Sequence, residues 1–182
     1  QSGSDKILKA MNRKHTINEY LHILDKLKKA NSNIKFSSDF IIGYPNETYE
    51  DFKKTIELLK EVKFINSYSF IFSARPGTPA FNFVKIDQKD AKDRLIIFQS
   101  IAEKIKNDYR DGLIKKTVKV LFENKIKNEN KYFGRDEHFN SVIVESDNNL
   151  TGEIKDIRVL NGNQNTLYGE IISKFDKTYH AA

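Results

Sequence analysis

The sequence predicts an α/β domain followed by a small all-β barrel. Over residues 1–112, apolar positions recur at helical and at strand spacing in turn, an order typical of a parallel sheet covered by helices. After Gly112 the pattern changes to short strand-like runs separated by polar turns. We therefore predict an α/β domain over residues 1–112, a small β-domain over residues 113–174 and a disordered tail over residues 175–182.

Five elements are predicted in the first domain, and capping residues mark the start of each helix. In chain order they are a helix that begins after Thr16 with Glu19 and ends near Ala30, a strand from Lys35 to Ile42, a helix that begins after Thr48 with Asp51, a strand from Ser67 to Phe72, and a long helix that begins after Asp87. Two or three strands are too few to close a (β/α) barrel. We therefore expect this part to be the second half of a larger α/β domain.

The second domain is predicted to contain five strands. The runs are 117–123, 131–135, 141–145, 153–160 and 166–172, with turns such as Asp147-Asn148-Asn149 and Asn161-Gly162-Asn163 between them. Short strands at this spacing are typical of a small antiparallel barrel.

Composition and charge narrow the class of protein. With 38% hydrophobic and 31% charged residues the chain should fold as a soluble globular protein. It has neither a membrane-length apolar run nor a signal peptide, and it contains no cysteine, so we expect a cytoplasmic protein without disulfides or thiolate metal ligands. The net charge of +6 suggests nucleic acid as a partner, but residues 113–182 carry only 11 basic against 10 acidic residues. Charge alone leaves RNA binding and simple solubility equally open.

Asp39 interrupts the apolar strand "SSDFII" just before a Gly-Tyr-Pro turn. Strand alternation places Asp39 on the face opposite Phe40 and Ile42, and the apolar face suits packing against helices. Asp39 is then expected to point into the interior of the α/β fold, near the strand ends where ligands bind. A buried carboxylate needs a donor or a cation, and the spacing leaves a ligand-binding role and a structural role equally open.

The N-terminal segment "QSGSDKILKAMNRKHT" supplies Gln1 and Arg13. An amide and a guanidinium can both bind a carboxylate, although Arg13 judged by itself is more often a surface residue. The four histidines, His15, His22, His138 and His180, lack a second ligand at metal-binding spacing, so no metal is assigned to them.

Basic and aromatic residues alternate at the start of the second domain. The candidates for RNA contact are Lys115, Lys116, Lys119, Tyr132, Arg135 and His138, beside Phe133 and Phe139. Lysines can bind phosphates and aromatic rings can stack on unpaired bases. Packing in the core of the domain explains at least half of these aromatic residues equally well.

Four ordered motifs resemble the radical S-adenosylmethionine methylthiotransferases. The motifs are "QSGSDKILKAMNRKHT", "SSDFIIGYPNET", "SFIFSARPGTPA" and the five-strand C-terminal region. "MNRKHT" followed by "SSDFI" is most similar to the branch that acts on isopentenyl-adenosine in tRNA. Sibling branches act on threonylcarbamoyl-adenosine in tRNA or on a ribosomal protein.

The resemblance implies a fold and a chemistry. In this family a partial (β/α) barrel is followed by a small OB-like barrel, the TRAM domain, which binds tRNA. S-adenosylmethionine is cleaved at a [4Fe-4S] cluster, the resulting radical abstracts hydrogen from C2 of the adenine at position 37 next to the anticodon, and a methylthio group replaces it. A second [4Fe-4S] cluster supplies sulfur. The family binds both clusters upstream of the region that this chain resembles.

The resemblance also implies roles for single residues. Gln1, Arg13 and Asp39 match positions that hold S-adenosylmethionine in related enzymes. Because the chain has no cysteine, we expect it to be a C-terminal part of such an enzyme and inactive alone. The alternatives are an RNA-binding module without catalysis, and a methylthiotransferase for one of the sibling substrates. The electron and sulfur donors are not predicted.

Overall fold

The computed structural model describes residues 1–172, so the predicted tail at 175–182 lies outside the described residues. The chain divides into two compact units, one spanning Gln1–Lys106 and the other beginning at Asn107. Each unit has its own hydrophobic core.

The first unit has the predicted alternation of helices and strands. Its elements are α1 (Asp5–Ala10), α2 (Ile17–Ala30), β1 (Ser37–Ile42), α3 (Tyr49–Val62), β2 (Asn66–Ile71), a short 3₁₀ helix (Pro79–Asn82) and α4 (Gln88–Asp111). β1 and β2 form a parallel pair in which Asp39 is opposite Tyr68 and Ile41 is opposite Phe70. A parallel pair with helices between and after its strands is the arrangement that the sequence predicts.

The core of the first unit lies on one face of β1. Phe40 and Ile42 are fully buried against Phe52 and Leu59 of α3 and Phe98 of α4. The ring centroids of Phe40 and Phe98 are 4.7 Å apart. Burying each such side chain stabilises the fold by roughly 1.5–3 kcal/mol, so this face fixes which way β1 presents its other residues.

All three predicted helix starts are confirmed. Thr16 and Glu19 form a capping box, in which Glu19 Oε2 accepts from the backbone N–H of Thr16 at 2.8 Å. Thr48 caps α3 in the same way with Asp51. Asp87 accepts from the N–H of Lys89 at 2.7 Å at the start of α4. These caps satisfy N–H groups that have no partner inside their helices.

Asp51 also binds the N-terminal segment to α3. Its Oδ1 accepts from Ser4 Oγ at 2.7 Å, and its Oδ2 accepts from Lys6 Nζ at 2.8 Å and from Thr48 Oγ1 at 2.7 Å. Burial alone would raise the pKa of Asp51, but hydrogen bonds from Lys6, Thr48 and Ser4 hold that pKa well below its usual range. The carboxylate therefore stays ionised at neutral pH.

Gly3 allows this segment to lie directly on α3. Its N–H donates to Thr55 Oγ1 at 2.9 Å, and a Cβ at Gly3 would stand 2.3 Å from the carbonyl oxygen of Lys54. That distance is too short for any side chain. The sequence Ser-Gly-Ser is thus needed for a close backbone approach.

The second unit is a closed five-stranded barrel. Its strands are β3 (Thr117–Lys125), β4 (Lys131–Asp136), β5 (Ser141–Glu145), β6 (Ile154–Gly162) and β7 (Thr166–Ile171), in the closed order β3-β4-β5-β7-β6. All five predicted strands are confirmed. The prediction of a wholly antiparallel barrel is wrong, because β5 and β7 pair in parallel. Valines such as Val120 and Val142 point inward and fill the barrel.

We predict that Asp51→Ala lowers the free energy of unfolding by about 2–4 kcal/mol, because it removes a helix cap and a buried ionic partner. The pKa of Asp51 is lower in the folded state than its ordinary value of 3.8. The stability that it contributes is thus present above about pH 4 and is lost as the pH falls through the lower, folded-state pKa. The difference from wild type should shrink in strong acid, as measured by urea denaturation at several pH values.

Glu50→Ala is the matched control, since Glu50 lies in the same first turn of α3 but is exposed. An equal loss of stability in the two variants would contradict the anchoring role of Asp51.

Candidate functional site

Asp39 lies on the face of β1 opposite the core, as predicted. Phe40 and Ile42 are buried on the helix-covered face, while Asp39 is exposed. The prediction that Asp39 is buried is therefore wrong for the described part of the chain. The physical reason is that the helices of the first unit pack around Phe40 and Ile42, and residues 1–172 add no layer over the face that carries Asp39.

Gln1 lies beside β1, and the charged residues Arg13 and Asp39 lie near it. The Gln1 carbonyl accepts from the N–H of Ile41 at 3.0 Å, which continues the hydrogen-bonding pattern of the strand. Arg13 and Asp39 each lie close enough to Gln1 for their charges to act on its backbone nitrogen.

The turn after β1 is held by the side chain of Glu47. Gly43 adopts a φ of 76°, and its N–H donates to Glu47 Oε2 at 3.1 Å. A Cβ at Gly43 would lie 2.9 Å from the Cβ of Ala91 on α4, so the glycine is required both by its conformation and by space. Tyr44 completes the turn by donating its hydroxyl to the carbonyl of Ala10 at 2.9 Å.

Arg94 on α4 neutralises Glu47. Arg94 Nη1 donates to Glu47 Oε2 at 2.9 Å and to the Glu47 carbonyl at 3.0 Å, and the Glu47 side chain is 0% exposed. Burial raises the pKa of Glu47, and hydrogen bonds from Arg94 and Gly43 oppose that rise. Among residues 1–172, Glu47 Oε1 has no hydrogen-bond partner. The pair joins the end of β1 to α4.

Sequence reasoning missed Glu47 and Arg94 as a pair. They are 47 positions apart, and neither helical nor strand spacing connects them. The one available signal was a glutamate two residues after the proline of the Gly-Tyr-Pro turn, where Oε2 can reach back to a free N–H.

Two exposed aromatic rings share the face of Asp39. Tyr68 is directly opposite Asp39, and Phe70 is directly opposite Ile41. Tyr68 is 58% exposed and Phe70 is 60% exposed. Paired residues of neighbouring strands present their side chains on the same face, so a carboxylate and two rings form one continuous surface.

The predicted RNA-binding residues of the barrel divide into exposed and buried ones. Lys115, Lys116 and Lys119 are exposed, and so is Arg135, whose Nε donates to Glu123 at 3.0 Å. Tyr132 is only 3% exposed and belongs to the barrel core. The prediction that Tyr132 contacts RNA is therefore wrong, because its ring face is covered by the protein interior.

His138 lies in a turn that is held by the buried Asp136. Asp136 Oδ1 accepts from the N–H groups of His138 at 2.8 Å and Asn140 at 2.9 Å. Between them Phe139 has a φ of 63° and is 75% exposed. A bulky residue rarely adopts this conformation, so the turn holds an aromatic ring in solvent at some energetic cost.

Within residues 1–172, no three His, Asp or Glu side chains lie close enough together to hold a metal ion. In the same residues, no helix combines the length and the apolar character required to cross a bilayer.

One protein family matches the N-terminal third of the chain. Residues 1–59 match the Radical SAM superfamily. This range includes β1 and the predicted cofactor-binding residues Gln1, Arg13 and Asp39.

Three curated relatives match most of this chain. A tRNA-2-methylthio-N(6)-dimethylallyladenosine synthase of Pelagibacter ubique (strain HTCC1062) is 51% identical over 180 residues, covering 97% of this chain and 40% of the relative. Proteins of the same name from Wolbachia pipientis subsp. Culex pipiens (strain wPip) and Jannaschia sp. (strain CCS1) are 42% and 39% identical, covering 93% and 94% of this chain and 39% and 37% of the relatives. The resemblance to methylthiotransferases acting on tRNA is thus confirmed, and the chain spans about 40% of the length of these curated relatives.

We predict that Arg94→Ala lowers the free energy of unfolding by about 3–5 kcal/mol, because it leaves the buried Glu47 carboxylate without its cation. Adding Glu47→Gln should recover part of this loss, since a neutral amide costs less to bury than an unpaired charge. Urea denaturation of the two variants measures both effects.

Lys92→Ala is the matched control on the same helix, because Lys92 is exposed. If the free-energy losses of Arg94→Ala and Glu47→Gln simply add in the double variant, the two side chains do not act as a pair.

Proposed function

We propose that this chain is part of a radical S-adenosylmethionine enzyme that methylthiolates C2 of isopentenyl-adenosine at position 37 of tRNA, acting in the cytoplasm. The single observation that carries the proposal is the 51% identity over 97% of the chain to a relative named for this product. The resemblance of Gln1, Arg13 and Asp39 to the cofactor-binding positions of related enzymes supports it, and Gln1 lies beside β1, the strand that carries Asp39.

The side chains near Asp39 suit S-adenosylmethionine. A carboxylate accepts from ribose hydroxyls and from an ammonium group, whereas the Arg13 guanidinium and the Gln1 amide can bind a carboxylate. When bound, S-adenosylmethionine supplies the 5′-deoxyadenosyl radical that removes hydrogen from the substrate. The part of Asp39 is to accept hydrogen bonds and so orient the cofactor at the carboxyl end of β1.

The residues of this chain do not suit an iron–sulfur cluster. Such clusters are held by cysteine thiolates, and the 182 residues include no cysteine. We therefore propose that both [4Fe-4S] clusters are bound by other residues of the complete enzyme. For the same reason the 182-residue chain alone is expected to be inactive.

The barrel is proposed to be a TRAM-type, OB-like domain that binds tRNA. Lys115, Lys116, Lys119, Arg135 and His138 remain the candidate contacts, and the exposed ring of Phe139 is added to them. Lysines bind phosphates without reading sequence, and an exposed ring can stack on an unpaired base.

Mass spectrometry of tRNA tests the proposed reaction. In a strain lacking the gene, we expect the methylthio form of isopentenyl-adenosine to disappear and isopentenyl-adenosine to accumulate. The wild-type gene restores the product. Retention of the methylthio nucleoside in the deletion strain would exclude this substrate and favour one of the sibling substrates.

For the cofactor site we expect Asp39→Ala in the complete enzyme to weaken S-adenosylmethionine binding by about ten-fold or more, since hydrogen bonds to a charged group contribute roughly 1.5–3 kcal/mol. Isothermal titration measures the affinity. Asp25→Ala, an exposed aspartate on α2, is the control and should bind normally. Unchanged affinity in Asp39→Ala would refute the assignment.

A further inference from the structure

The sheet face that carries Asp39 contains more than the proposed cofactor contacts. Next to the carboxylate stand Tyr68 and then the pair formed by Ile41 and Phe70, which lies nearer the carboxyl ends of both strands. The face therefore changes from charged to aromatic to purely apolar within a few residues. Its opposite side is the helix-covered core, so these rings take no part in packing the first unit.

The exposure of the two rings is unusual for a parallel pair of strands. Parallel sheets are normally covered on both faces, and a phenylalanine side chain has about 150–250 Å² to bury. Phe70 is nevertheless 60% exposed and Tyr68 is 58% exposed. A surface of this kind suits a ligand that is flat and apolar in one part and polar in another.

We propose that Tyr68 and Phe70 contact the target nucleoside, and that Phe70 with Ile41 recognises the apolar dimethylallyl group on N6 of its adenine. This inference rests on the proposed function, and it names the residues that select the substrate. The choice of occupant follows from the chemistry of the face and from the relatives, whose printed name contains dimethylallyladenosine.

The chemistry of the nucleoside matches the order of side chains on the face. An adenine ring can lie against the Tyr68 ring, because aromatic side chains stack on bases that are unstacked from RNA. A branched five-carbon group has no hydrogen-bonding atoms, and Phe70 and Ile41 offer only carbon atoms to it. The position of this apolar pair at the carboxyl ends of β1 and β2 agrees with the general location of ligands in parallel α/β folds.

The size of the effect can be bounded by what apolar pockets achieve. One methylene in an apolar pocket gives roughly 10–200-fold discrimination. Phe70 is one wall of the proposed contact, so its truncation should remove about ten-fold of the preference for a dimethylallyl-bearing RNA over an unmodified one.

The test uses the complete enzyme and two synthetic anticodon stem-loop RNAs that differ only in the N6 dimethylallyl group at position 37. We expect wild type to bind the dimethylallyl RNA more tightly, Phe70→Ala to lose about ten-fold of this preference, and Phe70→Leu to retain most of it because an apolar side chain remains. Ile96→Ala is the matched control, since Ile96 is 64% exposed on α4. It should leave the preference unchanged.

S-adenosylmethionine titration separates this inference from the proposed function. Phe70→Ala should bind the cofactor like wild type, so a selective change in RNA preference is assigned to the nucleoside contact. If Phe70→Ala keeps the full preference, or weakens both RNAs equally because another segment of the enzyme covers the ring, the inference is overturned while the proposed function stands. If wild-type enzyme does not methylthiolate the dimethylallyl RNA at all, the proposed function itself fails.

Discussion

The candidate site depends on the hydrogen bonds that the ionised carboxylate of Asp51 accepts from the N-terminal segment. It closes the cap of α3 and at the same time holds Ser4 and Lys6 of the N-terminal segment. With Gly3 pressed against Thr55, this anchor fixes the segment that places Gln1 beside Ile41 of β1. A helix cap, which is normally a local device, here positions residues almost fifty places earlier in the chain.

A second carboxylate, that of Glu47, holds the turn that follows β1. Burial raises the pKa of both carboxylates, but at Asp51 the hydrogen bonds outweigh burial and lower the pKa, whereas at Glu47 the pKa stays raised despite the ion pair with Arg94. Glu47 Oε2 also holds the N–H of Gly43, so the turn, the strand end and α4 form one hydrogen-bonded unit. β1 is thereby fixed at its end as well as through its core face. The other face of β1 carries Asp39, which is exposed in the described residues.

What could be predicted from the sequence was local. The caps at Thr16, Thr48 and Asp87 and all five barrel strands follow from spacing within a few residues. The prediction that Asp39 is buried was wrong. Strand alternation specifies only the face of β1 on which a residue lies, whereas burial depends on which other layer covers that face. Tyr132 was assigned to RNA for a related reason, since a period of two separates two faces of a strand but does not label which is the inside of a barrel.

The non-local features had no comparable signal. The pairing of Glu47 with Arg94 and the parallel contact of β5 with β7 both join segments that are distant in sequence, so no periodic pattern contains them. The same limit explains why Tyr68 and Phe70 were not selected as candidates. Each looks like an ordinary core aromatic until the register with Asp39 and Ile41 places it on the face away from the helices. A carboxylate could be noticed in an apolar strand because it is costly to bury, whereas an aromatic ring in such a strand attracts no notice. Exposed apolar residues on such a face are therefore hard to find by sequence reasoning, and strand register is the observation that draws attention to Tyr68 and Phe70.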